Sequence, residues 1–274
     1  MAVDENGELL EEGDFKIPGV QGTGSEIKVA FLDPAGSMTK TLFPTGKRSE
    51  TVEVKESSTV GHTFDVSTTI IDCANPFVFV DASTLPSFMT GMAPEQPHYL
   101  EVIESIRRVA AVRMGLAKDT TAASLVRGTP KIAVLYPPTG SKLSSAKEAQ
   151  IRVQSFSMGK PHPSLQLTGA ACLASCVSIE GTIAHEISTR SDICLPITPE
   201  RTPSPGADHD MGTPTSLLST ETLVEKMISI THSTGSIAVN VELSSIPGEG
   251  VHVDRCSVSR TARRLFEGSV YAYY

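Results

Sequence analysis

His162, Arg152, Arg260, Ser157 and the pair Thr168-Gly169 are the residues of this chain whose types and spacing suit the handling of an anion. His162 stands in a Gly/Pro loop, where an imidazole can hydrogen-bond a carboxylate or shuttle a proton near neutral pH, or simply stabilise its own loop. The guanidinium fork of Arg152 or Arg260 matches a carboxylate bidentately, and serves a structural ion pair as readily. Thr168 and Gly169 open a run of small residues, Thr-Gly-Ala-Ala-Cys-Leu-Ala-Ser-Cys-Val-Ser, that reads as a helix. The first N–H groups of a helix lack partners within it and lie at its positive end, so a carboxylate would be favoured there. Ser157 and Met158 end a strand just before this loop, and Ser157 can donate to a ligand oxygen. Gly159 and Gly169 allow close approach of a ligand, or serve only a turn and tight packing.

These residues need a scaffold, and the pattern of apolar residues predicts one. The first 25 residues are polar and glycine-rich and read as loop. Lys28 to Phe43, with Asp33-Pro34-Ala35-Gly36 as its turn, reads as a β-hairpin. Residues 50–55 and 62–72 alternate at period two and are strands, so the first quarter of the chain is antiparallel sheet. Phe77 to Val80 is continuously apolar, as in a strand buried on both faces. A helix runs from His98 to Gly115, with Glu101, Glu104, Arg107 and Arg108 on its solvated face. Lys131 to Tyr136 and Ala149 to Phe156 are strands, the second with Ile151, Val153 and Ser155 on one face. Residues 188–221 are rich in Ser, Thr and Pro and form a surface excursion. Met227 to Thr231 and Ile237 to Val241 are strands joined by the turn His232-Ser233-Thr234-Gly235, and Val251 to Ser259 and Ser269 to Tyr274 flank a helical turn at 261–266.

Bulk properties narrow the function classes. Acidic residues outnumber basic ones by 31 to 23, so the overall field repels a polyanion and nucleic acid is not the expected partner. An anionic ligand must then find a local basic pocket. No run approaches the roughly 18 apolar residues of a membrane span, and Met1 to Glu12 is acidic where a signal peptide would be basic and then apolar, so an intracellular, cytoplasmic protein is expected. The five cysteines, Cys73, Cys172, Cys176, Cys194 and Cys256, include no CxxC pair and read as reduced, buried small residues. Cys172 and Cys176 are four apart on the predicted helix, yet no further ligand nearby completes a metal set.

Several blocks in order resemble one family. Leu32-Asp33-Pro34-Ala35-Gly36, Pro44-Thr45-Gly46, Asp72 with Ala74-Asn75-Pro76 and Phe79, Ile106-Arg107 with Met114-Gly115-Leu116, Ser157-Met158-Gly159 with His162, Thr168-Gly169, and Arg260-Thr261-Ala262-Arg263-Arg264-Leu265 with Gly268 are together similar to the PrpF proteins, from about residue 18 onward. No single tripeptide is specific; their order is. The turn His232-Ser233-Thr234-Gly235 resembles a His-Pro-Ser-Gly turn of that family, departing from it at Ser233 and Thr234 but keeping a hydroxyl and the glycine.

The resemblance implies an α+β, diaminopimelate-epimerase-like fold of two similar domains, each a sheet curled around a central helix, with the active site in the cleft between them. It implies allylic proton transfer, as a double-bond shift or cis-trans isomerisation, on a small unsaturated di- or tricarboxylate such as methylaconitate, aconitate or methylitaconate. No cofactor or metal is implied. Ser157, Met158, Gly159, His162, Thr168, Gly169, Arg152, Arg260, His232 and Thr234 are then the expected substrate contacts. Members carry roughly a hundred further residues upstream, close to a domain's worth, including a lysine and a cysteine proposed for proton transfer that have no counterpart here. On this basis residues 1–65 are expected to be the end of the first domain, 66–258 the second domain with its insertion at about 188–221, and 259–274 a return to the first. A non-catalytic protein that binds a partner, or another copy of itself, through an unpaired sheet edge is the alternative expectation.

Overall fold

The computed structural model describes residues 3, 5–7, 10, 12–18, 20–55, 63–138, 149–190, 222–246, 250–262, 268–269 and 271. Alternating and continuous apolar runs become the strands β1 (Ile27–Leu32), β2 (Glu50–Lys55), β3 (Thr63–Asp72), β4 (Pro76–Asp81), β5 (Lys131–Tyr136), β6 (Ile151–Ser157), β7 (Lys160–His162), β8 (Thr222–His232), β9 (Gly235–Ile246) and β10 (Gly250–Arg260). The helices are α1 (Pro97–Arg113), α2 (Thr120–Leu125), α3 (Leu167–Ser178) and α4 (Ile183–Thr189). The strands form one sheet in the order β1-β10-β9-β8-β6-β5-β4-β3-β2, with β7 hydrogen-bonded to β6. It is a mixed sheet: β4 and β5 are parallel, β6 and β8 are parallel, and the other pairs are antiparallel.

The period-two rule explains why the middle of this sheet is apolar on both faces. Phe77 and Phe79 of β4, Ala133 and Leu135 of β5, and Ile151 and Val153 of β6 point into one core with α3 and α4. Val78 and Val80, Ile132 and Val134, and Phe156 point into a second core built on α1. The first core also takes Ile228 and Ile230 of β8, Val239 and Val241 of β9, and Val253, Cys256 and Val258 of β10. The sheet therefore curls around α3, whose residues from Gly169 to Ser178 are all buried. Only a helix of small side chains can be surrounded this closely: a Cβ added at Gly169 would lie 2.7 Å from Cζ of Phe77.

The hairpin expected over Lys28 to Phe43 does not form. β1 pairs along its whole length with β10, and the stretch after it is taken over by Asp72. That buried carboxylate accepts hydrogen bonds from Ser37 Oγ at 2.5 Å, from the N–H groups of Met38 and Thr39 at 2.7 Å and from Thr39 Oγ1 at 2.9 Å. Donors that a second hairpin strand would have spent on its partner are thus consumed by one side chain. β1 and β2, both within residues 1–65, form the two edges of the sheet.

The solvated face expected on α1 also differs. Arg107 is only 3% exposed. It makes two 2.7 Å bonds to Glu104 and donates to the carbonyls of Val126, Thr129 and Ala123, clamping α2 and the chain after it onto α1. Neither α2 nor α4 was expected from periodicity, because each spans two turns or fewer. Most of the segment expected as an excursion, 191–221, and most of the expected turn and strand over 261–274, lie outside the described residues. Among the described residues no single helix is long and apolar enough to cross a bilayer.

Candidate functional site

β6 and β8 run parallel, and β10, antiparallel to β9 as β8 is, shares their direction. Their C-terminal ends therefore lie on one side of the sheet. β7 doubles back along β6, placing His162 opposite Ser155, and α3 starts five residues later.

α3 begins without a side-chain cap. Its N-cap residue is Gln166, whose Oε1 accepts from Ser155 Oγ at 3.0 Å while its Nε2 is buried without a partner. Among the described residues no acceptor meets the N–H groups of Leu167, Thr168 or Gly169; the first helical bond is from Ala170 to Gln166 at 2.8 Å. Thr168 is half-buried and Gly169 fully buried, so the first turn has one face open and one packed on Phe77.

His162 is held over this loop by a 2.6 Å contact between its Nδ1 and the Ser164 carbonyl. A carbonyl only accepts, so in this contact Nδ1 donates, which in a neutral ring leaves Nε2 as the acceptor. The Ser164 N–H is farther from Nδ1, at 3.2 Å. His232, at the end of β8, is held below the ordinary histidine pKa by partial burial, and further by the positive charge of Arg260 and by His162, which favours its neutral ring. The turn that follows is stapled to the loop before α3: Ser233 Oγ and Thr234 Oγ1 both donate to the Pro163 carbonyl, at 2.7 and 2.8 Å. Thr234 Oγ1 also lies 3.2 Å from His232 Nδ1. Arg260, at the end of β10, is partly buried, which lowers its pKa, and has no carboxylate partner among the described residues.

His162, His232, Thr234 and Arg260 thus gather around the loop that leads into Thr168 and Gly169. The other expected contacts do not join them. Ser157, Met158 and Gly159 form the tight β6–β7 turn, with positive φ of 53° and 76° at the last two. Met158 is 60% exposed, Ser157 Oγ lies 3.5 Å from Lys131 Nζ, and Gly159 faces the Arg127 guanidinium. This turn sits beside α1. Arg152 is exposed and stacks 4.5 Å over the Tyr136 ring, on the strand face opposite Ile151, Val153 and Ser155, which gives it a cation-π role instead.

Gln166, Ser164 and the Pro163 carbonyl belong to the group and were not among the expected contacts. A glutamine before a helix carries no capping signal, and a carbonyl acceptor is invisible in a side-chain pattern. Among the described residues no three His, Cys, Asp or Glu side chains are placed to hold a metal ion. The arrangement can bind an anion at the open N–H groups and beside Arg260, and can accept a proton at His162 Nε2.

Comparison with known proteins gives consistent findings. A family model described as "PrpF protein" matches residues 2–195. The YraM protein of Bacillus subtilis (strain 168) is 31% identical over 275 residues, covering 98% of this chain and 61% of YraM. The 2-methyl-aconitate isomerase of Cupriavidus necator is 26% identical, covering 97% of this chain and 60% of that protein. The crystal structure of a methylitaconate-delta-isomerase matches with a TM-score of 0.64 at 25% identity, over 97% of this chain and 60% of the other. The chain spans about three-fifths of the length of these relatives.

Proposed function

The chain belongs to the PrpF family, and from that premise we propose that it acts in allylic proton transfer on a small unsaturated polycarboxylate of the methylaconitate or methylitaconate kind. The single observation that carries this reading is that His162, its Nδ1 against the Ser164 carbonyl, stands in the loop that leads five residues later into the uncapped start of α3. Moving a double bond next to a carboxylate requires a base at one carbon, an acid at another, and donors for the charge that spreads onto the carboxylate as a dienolate. The N–H groups of Leu167 to Gly169 and the guanidinium of Arg260 are the donors in this scheme. Neutral His232 serves as hydrogen-bond partner to a substrate carboxylate, and the imidazolium formed at His162 returns the proton to the other carbon.

The same reading assigns residues 66–258 to a diaminopimelate-epimerase-like domain curled on α3, and residues 1–65 and 259–274 to a neighbouring domain. A likeness to a methylitaconate-delta-isomerase over almost the whole chain supports it. So do relatives named for methylaconitate and for 3-methylitaconate isomerisation. In this scheme the proton moves between side chains and substrate without a cofactor.

The test is proton exchange in heavy water. The folded 274-residue chain is incubated with cis-aconitate, trans-aconitate and methylitaconate, and deuterium uptake at the allylic carbon is followed by NMR. Uptake above the buffer rate is expected for at least one of them, falling about a hundredfold or more in His162→Asn, the usual scale for losing a general base. Uptake at the buffer rate for all three would leave the family kinship standing and remove the activity.

A further inference from the structure

α3 covers one face of β8, β9 and β10. On the opposite face of β10, β9 and β1 the chain forms an open cleft of about 430 Å³, large enough for a small organic ligand, which typically occupies a few hundred Å³. Its outer wall is the segment 15–18, anchored at its base by two 3.1 Å backbone bonds between Phe15 and Gly24. Phe15, Ile17 and Pro18 give that wall an apolar inner surface, and Met227 adds to it from β8. The floor is polar: Ser236 and Asn240 from β9 and Ser257 from β10.

The charges around the cavity are unequal. Lys16, Lys28 and Arg260 line it against one carboxylate, Glu26, and that carboxylate is already engaged by Ser259 Oγ at 2.5 Å. None of the three cations has a carboxylate partner among the described residues, so two positive charges are in surplus here, on a chain whose formal net charge is −8. Arg260 is partly withdrawn from water, and a guanidinium in that position gains when an anion replaces the water it has lost. Like charges held around one cleft raise the local concentration of an oppositely charged ligand.

We propose that this cavity is a second binding site, taking a small organic dianion whose hydrocarbon part packs on Phe15, Ile17 and Pro18 while its charges meet Lys16, Lys28 and Arg260. The site is separate from the start of α3, since its walls come from β1, β8, β9, β10 and segment 15–18, and it does not depend on the isomerase reading. Arg260 stands at the rim of both sites, so occupancy of the cavity alters the charge felt by His232.

Adipate is the probe: a dianion with an apolar body and no double bond to isomerise. Titration of the folded chain by calorimetry and by amide NMR is expected to show saturable binding with a Kd of about 1 mM or tighter, with shifts concentrated at residues 15–17, 236, 240 and 257. Inorganic phosphate, which lacks the apolar body, is expected to bind about tenfold more weakly, and the double variant Lys16→Gln, Lys28→Gln to lose about tenfold in adipate affinity at unchanged Tm. Absence of saturation, equal affinity for phosphate, shifts confined to residues 162–169, or unchanged affinity in the double variant each overturns the proposal. Because adipate cannot report proton transfer, failure here leaves the deuterium-exchange test untouched, and failure there leaves this one standing.

Discussion

Gly169 and Phe77 are packed so that no atom fits between them: a Cβ on Gly169 would lie 2.7 Å from the Phe77 ring and 3.2 Å from Leu165 Cδ1. Alanine is the better helix former by about 1 kcal/mol, which alone would make Gly169→Ala stabilising. The ring cannot retreat, because Phe77 is fully buried and stacked on Phe79 at 5.2 Å between centroids. Overpacking of a tight core typically costs about 1–3 kcal/mol, so the net effect of Gly169→Ala is a loss of stability. Urea denaturation monitored by circular dichroism decides the sign; an unchanged or raised midpoint would show that α3 shifts freely inside the sheet.

Arg107 and Glu104 form the other tight pair, nearly excluded from water at 3% and 14% side-chain exposure. Burial by itself would raise the Glu104 pKa, but the hydrogen bonds from Arg107 and Arg108 outweigh it and hold the carboxyl below its ordinary 4.5. A depressed folded-state pKa means stability that is present above the unfolded value and lost as pH falls through the folded one. Wild-type stability should therefore decline as pH drops below about 4.5, and the decline should be shallower in Glu104→Gln. Arg107→Met leaves Glu104 with one partner and three carbonyls without their donor, for an expected cost of about 3–5 kcal/mol. Equal acid slopes for wild type and Glu104→Gln would mean that other carboxylates control the acid limb.

These two pairs show what the sequence makes legible and what it hides. Strict alternation in β2 and β3, the apolar run of β4 and the three-four spacing of α1 are local signals, and the elements stand where those signals put them. Arg107 looks like a surface residue by the same periodicity; only the return of α2 and the 126–130 segment, set by tertiary contacts, buries it. Met38 to Phe43 alternates well enough for a strand, and the competitor for its N–H groups, Asp72, is more than thirty residues away. At the candidate site, His162, Thr168 and Gly169 are neighbours in sequence and could be grouped by reading. His232 and Arg260 join them only through the parallel pairing of β6 with β8, which no local pattern announces.

His232 gives a pH signature for that grouping. Its partial burial, the Arg260 charge and His162 all disfavour the imidazolium, so the unfolded chain binds this proton more tightly than the folded one. Stability then rises with pH through the interval between the folded pKa and the ordinary 6.5, and levels off above it. NMR titration of the His232 ring should give a midpoint below 6.5, moving upward in Arg260→Gln as one source of positive charge is removed. A midpoint that does not respond to Arg260→Gln would place the two side chains too far apart to share a ligand.

The cysteines of the core should be inert. Cys172 and Cys176 are fully buried, and loss of hydration pushes both thiols up, Cys176 to about 12. Cys256 is held low by hydrogen bonds from Cys73 and Ser175, yet it too is inaccessible. A thiol must be both ionised and exposed to react. Iodoacetamide at pH 7.5 followed by peptide mass spectrometry should leave Cys73, Cys172, Cys176 and Cys256 unlabelled in the native chain and label all four in urea. Rapid native labelling of Cys172 would mean that the start of α3 opens far more than its packing on Phe77 allows.

Ser233 and Thr234 converge on a single acceptor, the Pro163 carbonyl, and among the described residues this is the hydrogen-bonded tie between the β8–β9 turn and the loop carrying His162. Both hydroxyls are exposed, so each bond competes with water and is worth at most about 1 kcal/mol. The double variant Ser233→Ala, Thr234→Ala should therefore lower global stability by only about 1–2 kcal/mol. Its local effect should be larger than its global one, because the amides from Ser164 to Gly169 lose the contact that holds their loop against β8. Hydrogen exchange measured by NMR is expected to quicken there while the amides of β4 and β5, in the middle of the sheet, keep their protection. Equal acceleration in both places would mean that the tie supports the whole fold, and no acceleration in either would mean that Pro163 is held by the β6–β7 hairpin alone.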